Sequence, residues 1–441
     1  MRLRHESEPA RSGRSRLALR VAAALALAAW VVVAVSGQRP LHAQDEKGAP
    51  DPLGNLEVPP GATRPLPKIA VVPSLSADFG DVVLRSVIVR DLDLSGEVEI
   101  LPDSAAPLVE PDVDIEAWKK KGVEAVVSVS ATTKADVVTM RGRVFLVKTG
   151  TTPVFDHEAK ATSAELRVQS HRMADRILGA LTGQDGSFAS RMTFVAGTGP
   201  LRFAFVVDSD GHDPRSISRA EELVIDSTFG KDAKVHRVSS VQEKPYRIRI
   251  ESGVVPSSVE GPVYGLAFSK DGSRVAVSIA RSDGIRVFEG PDLSNLGPPS
   301  VIATALEPTF TPSGKVAFSG AGKFGQRVYV DGKPVSPDGV FASSPTFCNN
   351  PDGVLLLFAA GAGKRTDLVR SGEGGGGLYR LTNDGSSAAP ACSPDGRLVA
   401  FFSKRTTGEG PGLYVMRVDG RRPRRVSTLL GDTLDWARLP P

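Results

Sequence analysis

Ala391-Cys-Ser-Pro-Asp-Gly-Arg-Leu-Val-Ala400 decides the fold, because the same stretch returns three more times along the chain. Ala267-Phe-Ser-Lys-Asp-Gly-Ser-Arg-Val-Ala276 and Thr309-Phe-Thr-Pro-Ser-Gly-Lys-Val-Ala-Phe318 are copies of it, and Pro351-Asp-Gly-Val-Leu-Leu356 is a fourth with two extra residues after Phe347. Each reads as a β-hairpin. An aromatic or apolar residue ends one strand, the glycine supplies the positive φ of a tight turn, and alternating apolar residues resume at once. The turn glycines Gly272, Gly314, Gly353 and Gly396 are spaced by 42, 39 and 43 residues. A second hairpin follows in each copy, clearest in Arg327-Val-Tyr-Val-Asp-Gly332 and Leu413-Tyr-Val-Met-Arg-Val-Asp-Gly420. Four strands at a period of about 40 residues are the pattern of a propeller blade. At about 42 residues each, the 254 residues from Phe188 to Pro441 hold six blades, counting two degenerate ones between Phe188 and Pro256. Trp436 falls 44 residues after Cys392, in the same slot, so the last residues are expected to supply a strand that completes the ring.

Upstream of Phe188, strands and helices alternate. Lys68-Ile-Ala-Val-Val-Pro73 reads as a buried strand, Asp81 to Leu94 has helical apolar spacing, and Ile115-Glu-Ala-Trp-Lys-Lys-Lys-Gly122 leads into a strand from Val123 to Val129. Strands from Val137 to Val147 and Val154 to Lys160 precede a helix with apolar positions Leu166, Met173, Ile177, Leu178 and Leu181. Thr162-Ser-Ala-Glu165 matches a capping box before that helix, and Gly183 is a suitable stop. The expected fold is therefore an α/β domain over residues 67–186 followed by an all-β six-bladed propeller over residues 187–441. Residues 44–66, dense in Pro, Gly and charge with no apolar period, read as a flexible exposed arm.

The first 43 residues have the three parts of an export signal: Arg2, Arg4, Arg11, Arg14, Arg16 and Arg20, an apolar run from Val21 to Val35, and small residues before a cut at Ala43-Gln44. Ser36, Gly37 and Gln38 leave the apolar part shorter than the roughly 20 residues of a spanning helix, which favours cleavage over an uncleaved anchor. The periplasm is the expected compartment. The leader also explains the charge: the chain carries +4, but seven Arg against two Glu put +5 in the leader, leaving 4 − 5 = −1 for the rest. That balance gives no case for nucleic-acid binding. Only Cys348 and Cys392 occur in a chain expected in an oxidising compartment, so disulfides are not its main stabilising device. A bridge between them is open, because spacing alone does not fix a Cα distance.

Over nearly all of the expected mature length, the chain resembles the TolB family. At the domain junction, Leu166-Arg167, His171, Asp175, Leu181-Thr-Gly183, Gly186, Phe188 and Arg191 match the family pattern L-R-x-x-x-H-x-x-x-D-x-x-x-x-x-L-T-G-x-x-G-x-F-x-x-R in register. Val71-Val72-Pro73, Trp118-Lys-Lys-Lys-Gly-Val-Glu-Ala-Val-Val127 and the Ser-Pro-Asp-Gly blades support it. The stretch from Glu221 to Val255 departs from the pattern, lacking the blade turn, and the arm is unusually rich in Pro. The resemblance implies a periplasmic scaffold of the Tol-Pal system that serves outer-membrane integrity, envelope constriction in division and protein import. It also implies that the propeller mouth receives a Pal-like peptidoglycan-associated lipoprotein. The N-terminal arm, beginning Gln44, Asp45, Glu46, Lys47, is implied to meet a TolA-like inner-membrane protein.

The residues themselves point to binding and not catalysis. His171 and Asp175 lie four apart on a helix with no second His or Cys cluster near them, and read as packed or capping groups. Asp208-Ser-Asp-Gly-His-Asp213 begins like a calcium loop but lacks the later Glu, and also fits a hairpin turn. Gly361-Ala-Gly-Lys-Arg365 has no Ser or Thr directly after its Lys and does not open a helix. With no Gly-x-Ser-x-Gly elbow and six scattered His, no catalytic residue, metal ligand or cofactor site is expected. In a propeller the loops entering each innermost strand ring the channel mouth, so one or two residues per blade can converge on one partner. Those loops offer Tyr264 and Gly265, Leu306 and Glu307, Ser343 and Ser344, and Ser387, Ala388 and Ala389. Tyr264 and Leu306 are expected as apolar contacts and Glu307 as an orienting charge. The competing reading is an exported propeller hydrolase or lyase with a diverged channel, which converging carboxylates would favour.

Overall fold

The computed structural model describes residues 65–72, 76–103, 114–323, 325–362 and 364–440; the expected signal peptide and arm, Gln44 to Lys47 included, lie outside them apart from residues 65 and 66. The N-terminal domain is built from β1 (Lys68–Val71), α1 (Phe79–Ser95), β2 (Glu99–Ile100), α2 (Ile115–Lys120), β3 (Ala125–Lys134), β4 (Val137–Leu146), β5 (Phe155–Thr162) and α3 (Leu166–Thr182). The sheet order is β2-β1-β3-β4-β5, with β1 parallel to its two neighbours and β3, β4 and β5 antiparallel. One face is covered by α1 and α3, whose Leu84, Ile88, Leu92, Met173 and Ile177 pack on Val127, Met140 and Val144. The other is covered by α2, where buried Trp118 meets Ala70, Val126 and Phe145.

Local chemistry sets the helix ends. Asp78 caps α1 by accepting from the Gly80 N–H at 2.8 Å, and Asp114 caps α2 by accepting from the Ala117 N–H at 3.0 Å. Gly183 ends α3 in the left-handed region at φ 85°. The expected capping box at Thr162 forms only in half: the Glu165 carboxylate reaches back to accept from the Thr162 N–H at 3.2 Å and hydroxyl at 2.9 Å, but α3 begins only at Leu166 and its N-cap Glu165 makes no capping bond. Thr162 is still paired in β5, so an extra turn separates strand from helix.

Six four- or three-stranded sheets follow as blades around a channel. Their innermost strands are Gly431–Arg438 for blade 1, then Glu222–Phe229, Val263–Phe268, Leu306–Phe310, Phe341–Asn350 and Ser387–Cys392 for blades 2 to 6. Blade 1 closes the ring: the chain's last strand pairs antiparallel with Ser190–Thr198, the first strand of the propeller. There Trp436 is buried and its indole N–H donates to the Ser190 hydroxyl at 2.7 Å. The degenerate stretch forms blade 2. Its first turn holds Ala233 at φ 56°, where other blades place Gly272 at 66°, Gly314 at 81° and Gly396 at 74°. Blade 3 departs from the four-strand expectation with only three strands; the residues after its last strand include Pro298 and Pro299, which have no N–H for a ladder. Cys348 and Cys392 form a disulfide that joins the innermost strands of blades 5 and 6, with Cα atoms 5.3 Å apart.

Candidate functional site

Every innermost strand carries a register break near its start, between Val263 and Gly265, Leu306 and Thr309, Ser343 and Thr346, Ala388 and Ala391, and Asp432 and Leu434, with its counterpart beside Asp226. A bulge of this kind turns the extra residue away from the ladder. Glu307, Ser344, Ala389 and Thr433 sit in these breaks at φ 52°, 53°, 50° and 46°. Three of them precede Pro308, Pro345 and Pro390, which ask for no donor partner at the break. Together with Tyr264, Asp226 and Asp435 they line a narrow neck of about 160 Å³.

Of the expected mouth residues, the neck thus gathers Tyr264, Glu307, Ser344 and Ala389. Gly265, Leu306, Ser343, Ser387 and Ala388 stand beside it in the strands and not on its lining. Gly265 is packed so that a Cβ would lie 2.9 Å from Pro308, and buried Ser387 gives its hydroxyl to Asp384 at 3.0 Å. Asp226, Thr433 and Asp435 were not expected there. The signal for Asp226 and Thr433 is the slot residue at the far end of each innermost strand: Asp226, Glu307, Ser344, Ala389 and Thr433 lie three residues before Phe229, Phe310, Phe347, Cys392 and Trp436. Those slot residues, with Phe268, line the channel's wider end, a cavity of about 810 Å³.

The neck's carboxylates stitch neighbouring blades. Glu307 accepts from the Ser344 N–H at 2.6 Å, the Ser344 hydroxyl at 2.9 Å and the Ser319 hydroxyl at 2.6 Å. Asp226 accepts from the Leu266 N–H at 2.9 Å, and Asp435 from the Phe229 N–H and Thr228 hydroxyl, both at 2.8 Å. Burial pushes the Asp226 carboxyl up to about 7, and the charges of Asp435 and Glu307 add to the push. Tyr264 and Tyr246 form an aromatic pair at the mouth with ring centres 5.8 Å apart. The neck therefore presents one aromatic pair, hydroxyls and partly engaged carboxylates on rigid strands. That suits recognition of a polypeptide surface.

The other residues singled out in the sequence lie elsewhere. Asp208 to His212 form a hairpin turn, closed by the Asp208 N–H to the His212 carbonyl at 3.0 Å. His171 is buried against Asp91, Nδ1 to Oδ2 at 2.7 Å, and Asp175 accepts from the Phe188 and Ala189 N–H groups at 2.6 and 3.0 Å. Among the described residues, Asp91, His171 and Asp210 are the one group of His, Cys, Asp or Glu side chains close enough to share a cation, and all three are buried.

An α/β domain followed by a six-bladed propeller, with a ring of bulge residues at one channel mouth, defines a two-domain propeller protein by architecture. Residues 178–438 match the TolB beta propeller domain and residues 54–152 the TolB amino-terminal domain. The chain belongs to the TolB family. It is 31% identical over 218 residues to the Tol-Pal system protein TolB of Thiobacillus denitrificans, 47% of each chain, and 29% identical over 167 residues to that of Albidiferax ferrireducens, 37% of this chain and 39% of the relative. The matched stretch spans less than half the length of each relative. The crystal structure of TolB from Acinetobacter baumannii has the same fold, with a TM-score of 0.68 at 20% identity, over 85% of this chain and 97% of that one. No helix among the described residues is long and apolar enough to cross a membrane.

Proposed function

We propose that this protein is a non-enzymatic periplasmic scaffold of the Tol-Pal system, exported by cleavage after Ala43, that holds a Pal-like peptidoglycan-associated lipoprotein at the propeller neck. In this role it acts as a monomer and supports outer-membrane integrity, constriction in division and protein import. The arm that begins Gln44, Asp45, Glu46, Lys47 meets a TolA-like inner-membrane protein. The observation that supports the reading is convergence: all six innermost strands direct a bulge residue or its neighbour to one neck, where Tyr264, Glu307, Ser344 and Ala389 meet. Leu306 and Ser343 flank them and widen the contact surface. A partner seated there touches every blade, so affinity is built from several modest contacts on a rigid ring.

Asp226, Glu307 and Asp435 on one neck are also what a diverged hydrolase or lyase would need. Their engagement with backbone N–H groups of the next blade favours the structural role, because each is already committed in holding the ring. The test uses the mature chain, Gln44 to Pro441, and its Tyr264→Ala, Leu306→Ala, Glu307→Arg variant, each mixed with purified lipoprotein. Binding by the wild type and loss of at least about tenfold in the variant, roughly 1.4 kcal/mol, is expected. Equal affinity would move the contact off the neck, and no binding by either would favour the enzyme reading.

A further inference from the structure

The N-terminal domain meets the propeller along a seam of buried charge. From α3, the Arg167 guanidinium donates to Asp208 at 3.0 Å and to Asp210, both in a blade 1 turn, and Arg191 donates to Asp208 at 3.1 Å. From α1, Arg90 donates to the Asp210 carbonyl at 3.2 Å. His171 stands among Asp91, Asp210 and Arg167, while Asp175 holds the backbone where blade 1 begins and faces His171 and Arg438. Four carboxylates, Asp91, Asp175, Asp208 and Asp210, thus face one imidazole, the close guanidiniums of Arg167, Arg191 and the more exposed Arg90, and the more distant Arg438. The Asp91 Oδ1 and His171 Nε2 atoms are buried without a hydrogen-bond partner. Arg167 already engages Asp210, so a metal ion at this point would sit beside a fixed positive charge.

We propose that this seam is a proton-operated latch, in which the Asp91–His171 pair and Asp175 take up protons as the domains dock, so that docking tightens in mild acid and loosens at alkaline pH. Arg167 and Arg191 engage Asp208 and Asp210, whereas Asp91 and Asp175 share only the His171 ring and the more distant Arg438, so leaving both of them ionised in the buried seam is costly and protons make up the deficit. Burial pushes Asp91 up to about 7 and Asp175 to about 6. For His171 burial works against the charged ring, but the Asp91 carboxylate outweighs it and holds the imidazole above its ordinary value. These shifts are upward, and the downward one of Asp210, where burial is outweighed by the charges of His171 and Arg167, acts only below the ordinary carboxylate range, so above that range the docked state binds more protons than the separated one. The advantage those protons give is therefore full below the ordinary carboxylate range and is lost as pH rises through about 6 and 7, by up to about tenfold per proton per pH unit. The inference does not depend on which partner the neck holds.

Hydrogen exchange on the mature chain tests it. After correction for intrinsic rates, protection of the seam amides of Phe188 and Ala189 is expected to drop about tenfold or more between pH 5.5 and pH 8. Amides of Val399 to Phe401, in the core of blade 6, should keep their protection, which separates undocking from global unfolding. Asp91→Asn combined with Asp175→Asn should flatten the seam response. An unchanged slope in that variant, or a pH-independent seam in the wild type, overturns the latch. Should the variant not fold, the His171 ring titration in the wild type, read by NMR, decides: a midpoint above about 6.5 is expected, and one at or below it overturns the proposal.

Discussion

Replacing Trp436 with Ala should open the ring at the one place where the two ends of the propeller meet. Trp436 is 6% exposed and packs in the same apolar cluster as Phe188, Met192 and Phe194 from the other end of the ring. Truncating a buried Trp to Ala typically costs about 3–5 kcal/mol in lost transfer energy and cavity. The indole N–H that bonds to Ser190 adds about 1 kcal/mol. Trp436→Phe keeps most of the apolar surface and loses the indole hydrogen bond, so about 1–2 kcal/mol is expected for it. Urea unfolding followed by circular dichroism measures both. The mature chain keeps two tryptophans, Trp118 and Trp436, so Trp118 fluorescence in the variants reports on the N-terminal domain separately. A loss under about 1 kcal/mol for the Ala variant, or equal losses for Ala and Phe, would refute the view that this side chain closes the ring.

Two further outcomes follow from the same geometry. Gly396→Ala should be strongly destabilising by thermal melt, because at φ 74° its Cβ would lie 2.3 Å from the Asn349 carbonyl oxygen, whereas Ala233→Gly should gain up to about 1 kcal/mol by relieving a left-handed alanine. Reducing the Cys348–Cys392 disulfide, which closes 44 residues, should lower stability by about 4 kcal/mol on chain-entropy grounds, read as a fall in urea midpoint with both thiols shown free.

The blades were legible because their turns impose a local demand. A residue at positive φ is cheap only as glycine, so Gly272, Gly314 and Gly396 write the hairpin into the sequence. Blade 2 was obscured where that demand is met at a cost, by Ala233 in place of glycine. The extra turn between Thr162 and α3 was not legible either, since Thr-x-x-Glu fits a capping box whether or not the helix starts at once. The seam escaped for a different reason. Asp91 and His171 are 80 residues apart and Arg167 and Asp210 are 43 apart, and nothing local marks them as partners.

The neck was half legible, and the missing half shows how it can be read. Six blades place six side chains at equivalent points of one ring, so a chain of this kind compares its own positions. At the wide end the slot is held by Phe229, Phe268, Phe310, Phe347, Cys392 and Trp436, uniformly apolar, as strand packing requires. At the narrow end, three residues before the slot, Asp226, Gly265, Glu307, Ser344, Ala389 and Thr433 share no chemistry, and in blade 3 Tyr264, one residue earlier, stands on the lining in place of Gly265. Packing cannot demand an acid in one blade and a methyl group in the next at the same backbone position. Three of the six, Asp226, Glu307 and Ser344, are explained by the bonds they make to the adjoining blade. Tyr264 and Thr433 are not committed in that way, and they set the chemistry left for a partner. Counting back from the slot residue therefore finds the neck even in blades 1 and 2, where the loop composition hides it.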